Sequence, residues 1–132
     1  RRFTFSRRER LKGSQRIASL FAEGSYFVSG PLQAVVRFHR ISRGATPVLR
    51  TGFSAPKSRL RRAVDRNRTK RRMRAVHRHH KHELLDAFSA RRLEADMMWI
   101  ARSSTVLSSA AIAERMARVR AQIIDYISEG LG

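Results

Sequence analysis

A chain of 132 residues with 42% apolar side chains can bury one core, which suits a single domain over 1–132 rather than two. A formal net charge of +19, from 29 basic and 10 acidic residues, works against compaction and gathers polyanions at the surface, so nucleic acid is the first partner class to consider. With no cysteine, disulfides and thiolate zinc sites are excluded, and no apolar run approaches the roughly 18 residues that a bilayer span needs. Arginine outnumbers lysine 25 to 4. Guanidinium forks match phosphate geometry better than ammonium groups do, although a genome rich in G and C would produce part of the same bias.

In chain order, residues 1–13 (RRFTFSRRERLKG) are basic, carry Phe3 and Phe5, and predict a mobile or extended arm. The chain opens on Arg1-Arg2, so its natural start is expected to be missing. Ser14 fits the N-cap of a short helix over QRIASLFAEG, with Ile17, Leu20 and Phe21 at helical spacing and Gly24 as its stop. SYFVSG and LQAVVRFHR predict two strands joined at Gly30-Pro31; ISRGATP is a turn-rich loop and VLRTGFS a third strand. Short connections between three successive strands predict an antiparallel meander. A long basic helix follows over roughly 61–89, with Thr69, Met73, Val76, His80, Leu84 and Ala87/Phe88 on its apolar face. DMMWIAR is a nearly continuous apolar run, expected as a strand buried on both sides. Ser108 or Ser109 would cap a last helix whose stripe is Ile112, Met116, Val119, Ile123 and Ile127, ending at Gly130. The order α-β-β-β-α-β-α gives an α+β domain, with helices packed on one mostly antiparallel sheet.

The long helix carries the strongest signal. Between residues 57 and 82 there are 12 basic side chains and one acid, Asp65. Arg62, Arg66, Lys70, Arg74 and Arg78 recur every four residues and form a stripe along one side. Like charges at that spacing cost about 0.2–0.5 kcal/mol per pair in an isolated helix. A stripe with a rise of about 6 Å per step can follow a phosphate backbone and recover that cost by releasing counterions. Asn67 adds an amide able to bond a base edge or a phosphate oxygen. The competing reading is a solvated helix face. Nothing pairs the scattered carboxylates as acid and base. HRHHKH, His77 to His82, invites a metal reading, but without cysteine and with few nearby acids a solvated helix end fits better. No phosphate-cradling glycine loop or nucleophile elbow occurs. The chain has the character of a binder.

Two stretches resemble a known family. SAPKSRLRRAVDRNRTKRRMRAV is similar to the signature of the bacterial ribonuclease P protein subunit, in which an Arg-Asn-Arg helix follows a short basic approach. RRERLKGSQRIASLFAEG is similar to that family's opening, through Arg10-Leu11 and the Phe21-to-Gly24 end of the first helix. The resemblance implies an α+β, αβββαβα sandwich with helices on a four-stranded mixed sheet (ribosomal protein S5 domain 2-like). In it the VLRTGFS and DMMWIAR strands lie parallel across a left-handed βαβ crossover. That is the rare hand for such a unit. It also implies a cytoplasmic protein with no catalytic residues and no obligate protein partner. Such a protein binds the catalytic ribonuclease P RNA and assists removal of the 5′ leader from precursor tRNA, with Mg2+ held mainly by the RNA.

Carried over by position, the RNA-docking residues are Lys57, Arg59, Arg61, Arg62, Arg66, Asn67, Arg68, Lys70, Arg71 and Arg74. A leader-binding cleft between the first helix and the sheet would include Ile17, Phe21 and, from the second strand, Phe38. Ile17 stands where members often carry Phe, and Ser58 replaces a commonly basic residue. The alternative is a basic ribosomal or other structural RNA-binding protein. A helix-turn-helix DNA binder is disfavoured because the basic helix has no close partner helix in sequence.

Overall fold

The run Leu93–Ala101 decides the layout of the sheet. Six of its nine residues are apolar and buried, and Asp96 is buried with them, so the strand must be covered on both faces and flanked on both edges. In the computed structural model, which describes residues 5–130, it takes an interior position. Arg1, Arg2 and Phe3 of the expected arm lie outside the described residues.

The elements are α1 (Ser14–Glu23), β1 (Ser25–Ser29), β2 (Leu32–Arg40), β3 (Leu49–Ser54), α2 (Ala63–Ala90), β4 (Leu93–Ala101) and α3 (Ser109–Ser128). The sheet order is β1-β2-β4-β3. β2 runs antiparallel to β1 and to β4, whereas β3 lies parallel to β4, with Thr51 opposite Met97. The expected three-strand meander is therefore corrected: β4 inserts between β2 and β3. A parallel neighbour requires a long crossover, and the 28 residues of α2 supply it. The mixed sheet that the family resemblance implied is the one present.

Side chains alternate between the two faces. Phe27, Leu32, Ala34, Val36, Met97 and Trp99 point to one side and pack against Met73, Leu84 and Phe88 of α2 and Ile112, Met116 and Ile123 of α3. On the other side, α1 sets Leu20 against Val35 and Ile100, with Leu11 and Met98 at the margin. Gly24 ends α1, but not through a left-handed conformation: its φ is −77°. A Cβ there would sit 2.5 Å from the Leu20 carbonyl oxygen and 2.7 Å from a Val35 methyl, so glycine lets the helix end press onto β2.

Three local expectations change. The N-cap of α1 is Gly13, at φ 90°, and Ser14 is already helical. Ser108 does cap α3, its Oγ accepting from the Ala111 N–H at 3.1 Å. On α2 the buried line is Thr69, Met73, His77, Lys81, Leu84 and Phe88; Val76 is half-buried and His80 pairs at the surface with Glu83 at 3.0 Å. Two polar residues replace the expected pair because each finds a polar partner from another segment. Trp99 Nε1 donates to His77 Nδ1 at 3.3 Å, and Lys81 bonds Glu9.

That Glu9 contact also revises the arm. From Phe5 onward the segment is tied down, with a 3₁₀ turn at Arg7–Glu9 and a parallel bridge from Arg10 to Thr51. The Leu11 N–H donates to the Thr51 carbonyl at 3.1 Å. We call residues 5–12 the strap.

Candidate nucleic-acid interface

The approach to α2 is built before the helix begins. Leu60 is buried, and the N–H groups of Arg59 and Leu60 both donate to the Pro56 carbonyl, at 3.0 and 3.1 Å. Arg66 reaches back from the first turn of α2 and donates to the carbonyls of Leu60 and Arg61, at 2.9 and 2.6 Å. This clamp fixes the loop and leaves Lys57, Arg59, Arg61 and Arg62 exposed around the helix start. Arg66 thus shapes the approach loop, a role the spacing alone does not reveal.

Further along α2, Asn67, Arg68 and Arg71 are exposed and Lys70 is half-exposed. Arg72 donates to the Leu107 carbonyl at 2.5 Å, which ties α2 to the loop before α3. The Arg74 guanidinium lies 5.3 Å from the Phe53 ring centroid. Among the described residues, none of the cations from Lys57 to Arg74 is paired with a carboxylate. Six of the ten acids pair elsewhere, Glu9 with Lys81, Glu23 with Arg37, Glu83 with His80 and Arg120, Glu114 with Arg118, and Glu94 and Asp96 with Arg50, while Asp65 lies in the first turn of α2. The N-cap residue of α2 is Arg62, which makes no side-chain cap. Cations gathered at the positive end of a helix dipole oppose folding, whereas an anion placed there is favoured by both.

The face of the sheet that carries α1 is less completely covered. Phe21 is 39% exposed and Tyr26, on β1, is 49% exposed; Tyr26 donates its hydroxyl to the Phe21 carbonyl at 3.1 Å. Ile17 is half-buried on α1. Phe38 is not in this group. It lies on the opposite face, stacked on Tyr126 at 5.8 Å between centroids and edge-on to Phe88 at the same distance. The reason is strand parity. Val35 faces α1, so residues 34, 36 and 38 face α2 and α3. Tyr26, the cross-strand partner of Val35, occupies the place assigned to Phe38. Pairing β1 with β2 groups Tyr26 with Val35, but only the packing of α1 on Val35 shows which face the pair occupies.

At the centre of the same face sits Asp96, 1% exposed. Arg16 of α1 reaches it at 3.0 Å, Arg50 of β3 at 3.3 Å and His39 of β2 at 3.5 Å. A carboxylate ringed in this way is poorly suited to a divalent cation. Among the described residues no three His, Asp or Glu side chains converge as metal ligands. On the other face, burial above all, and then the nearby Lys81 charge, push the His77 pKa from 6.5 down to about 3, so the ring is neutral at physiological pH. Burial raises the Glu9 carboxyl, but the hydrogen bond from Lys81 and those from Ser6 outweigh it and leave the pKa below its ordinary value.

Known proteins share this sequence pattern and this fold. The family model described as Ribonuclease P matches residues 5–123. Over 101 residues the chain is 38% identical to the Ribonuclease P protein component of Porphyromonas gingivalis, covering 74% of this chain and 70% of that protein. In fold it is similar to the RNase P protein from Staphylococcus aureus, with a TM-score of 0.65, 20% identity and 92% of each chain covered. It is likewise similar to the RNase P protein from Thermotoga maritima, with a TM-score of 0.64, 19% identity, and 86% of this chain and 97% of that one covered. Strap, sheet and basic helix all fall within the matched span, and with a relative so close in sequence the chain belongs to the ribonuclease P protein family.

Proposed function

We propose that this chain, as a ribonuclease P protein, docks on the catalytic RNA through residues 57–74 and holds the 5′ leader of precursor tRNA beside α1, while the RNA carries out the cleavage. The observation that supports this most directly is the cationic ridge converging on the uncapped start of α2, whose cations make no carboxylate ion pair among the described residues. Lys57, Arg59, Arg61, Arg62, Arg68, Lys70 and Arg71 take phosphate oxygens, Asn67 adds a directional amide, and Arg66 holds the approach loop in register. Phe21 and Tyr26 offer aromatic surface on which leader bases stack without regard to sequence, with Ile17 completing the wall. Magnesium bound by the RNA would supply the activated water for phosphodiester hydrolysis. The residues of this chain bind and orient the two RNAs, and none is assigned a proton transfer.

The test is reconstitution with a bacterial ribonuclease P RNA at low magnesium. The protein is expected to restore 5′ processing, and Arg68→Ala/Arg71→Ala to weaken RNA binding with a shallower dependence on salt. Processing that does not respond to the protein would overturn the reading, as would precursor cleavage by the protein alone.

A further inference from the structure

The strap alternates anchors with exposed cations. Phe5 packs edge-on against Phe53 and His77, at 5.8 and 6.1 Å between centroids. Glu9 pairs with buried Lys81, and Leu11 joins the apolar cluster under α1. Between and just after these anchors Arg7, Arg8, Arg10 and Lys12 remain exposed, the Arg10 guanidinium 6.0 Å from the Phe5 ring centroid. With Arg16 of α1 and Arg50 of β3 they line a pocket of about 500 Å³. Three separate segments thus bring six cations around one open space.

We propose that this pocket is a second RNA-phosphate site, distinct from the α2 ridge. The inference rests on the RNA-docking reading above. Asp96 and Glu94 are the carboxylates in contact with the cluster, both through Arg50 and Asp96 also through Arg16. Six cations against two carboxylates leave four positive charges unbalanced. Asp96 does more than neutralise: it holds Arg16 and Arg50 at fixed distances while their outer edges stay open, with the Arg16 side chain 45% exposed. A free arm would disperse its charges to relieve repulsion. Here Phe5, Glu9 and Leu11 hold them together, a cost that a bound polyanion offsets.

The start of α1 falls between Lys12 and Arg16 with no side-chain cap, so the helix dipole adds potential of the same sign. Arg50 projects from the sheet face opposite to the one α2 covers, and Arg16 lies toward the other end of α1 from Phe21. The pocket is therefore separate from both the ridge and the aromatic surface. Arginine-rich, open and lacking aromatic walls, it fits the backbone of an RNA strand rather than a base.

The test replaces only exposed strap cations, in Arg7→Ala/Arg8→Ala/Lys12→Ala, with Arg7→Lys/Arg8→Lys as the charge-conserving control. Binding is measured against salt concentration for the catalytic RNA alone and for its complex with precursor tRNA, and urea unfolding checks that the fold is intact. The triple variant is expected to lose affinity by roughly tenfold at 0.15 M salt. Its plot of log K against log salt should become shallower by about 1 to 2, the contribution of one or two phosphates. The lysine control should keep most of both. Loss with the catalytic RNA alone assigns the phosphate to that RNA, and loss only when precursor is present assigns it to the substrate; either supports the site. Unchanged affinity and slope in both settings overturn it. If Arg68→Ala/Arg71→Ala still weakens binding in that case, the docking reading survives; if neither variant changes binding, both fall.

Discussion

The two faces of the sheet are finished in different ways. The face under α2 and α3 is sealed by Trp99, Phe88, Met73, Met116 and Ile123, all fully buried, and at its depth Trp99 donates a hydrogen bond to His77. The face under α1 has a small apolar centre, a buried carboxylate ringed by cations, and aromatic rings left in solvent. A helix of 10 residues covers too little area to seal four strands, and what it leaves open is available for recognition. One face holds most of the buried apolar side chains, and the other leaves aromatic and charged groups at the surface.

That contrast can be broken by substitution. The largest expected effect is on the sealed face, where Trp99→Ala should cost about 3–5 kcal/mol by chemical denaturation, because it opens a cavity and leaves the His77 ring without its donor. Phe38→Ala comes next, at about 2 kcal/mol for a half-buried ring, and should lower activity on precursor and mature tRNA binding together. A selective loss of precursor preference in Phe38→Ala would place this ring in the leader site after all.

A pH titration of stability sharpens the same comparison. As pH falls through 6.5 the unfolded chain takes up a proton at His77, while the folded protein does not until about 3. The contribution is therefore complete above 6.5 and declines below it, by at most about 1.4 kcal/mol per pH unit. Glu9 pairs with Lys81 nearby, and its lowered pKa adds a further loss only below the ordinary carboxylate range. His77→Gln keeps an acceptor for Trp99 Nε1, so the decline between pH 6.5 and 5 should flatten. An unchanged slope in that variant would mean that His77 is not the group responsible. The smallest change in stability is expected on the open face: Phe21→Ala and Tyr26→Ala should stay within about 0.5 kcal/mol of wild type. In reconstituted enzyme the same two variants should reduce the preference for precursor over mature tRNA, which separates recognition from folding.

Much of the molecule was legible in its sequence. Helical spacing located α1, α2 and α3, strand composition located all four strands, and the pair Ser108-Ser109 announced the start of α3, with Ser108 making the cap. The basic ridge could be recognised because 12 cations against one acid, beside an apolar stripe, have few structural explanations. His77 and Lys81 escaped notice because their burial depends on Trp99 and Glu9, which lie 22 and 72 residues away. Phe38 falls on the face away from α1, against expectation, because a strand's period of two fixes which residues share a face, but not which face the short helix will choose.

Local preference and charge density, both properties of neighbouring residues, determined the element types, the order α-β-β-β-α-β-α and the cationic character of α2. Only the tertiary structure decided that β4 separates β2 from β3, that the strap is stapled rather than free, and that Arg66 turns inward while Arg68 remains outside. These outcomes depend on pairings between distant segments, whose free energy comes from shared burial and is not carried by any one stretch of chain.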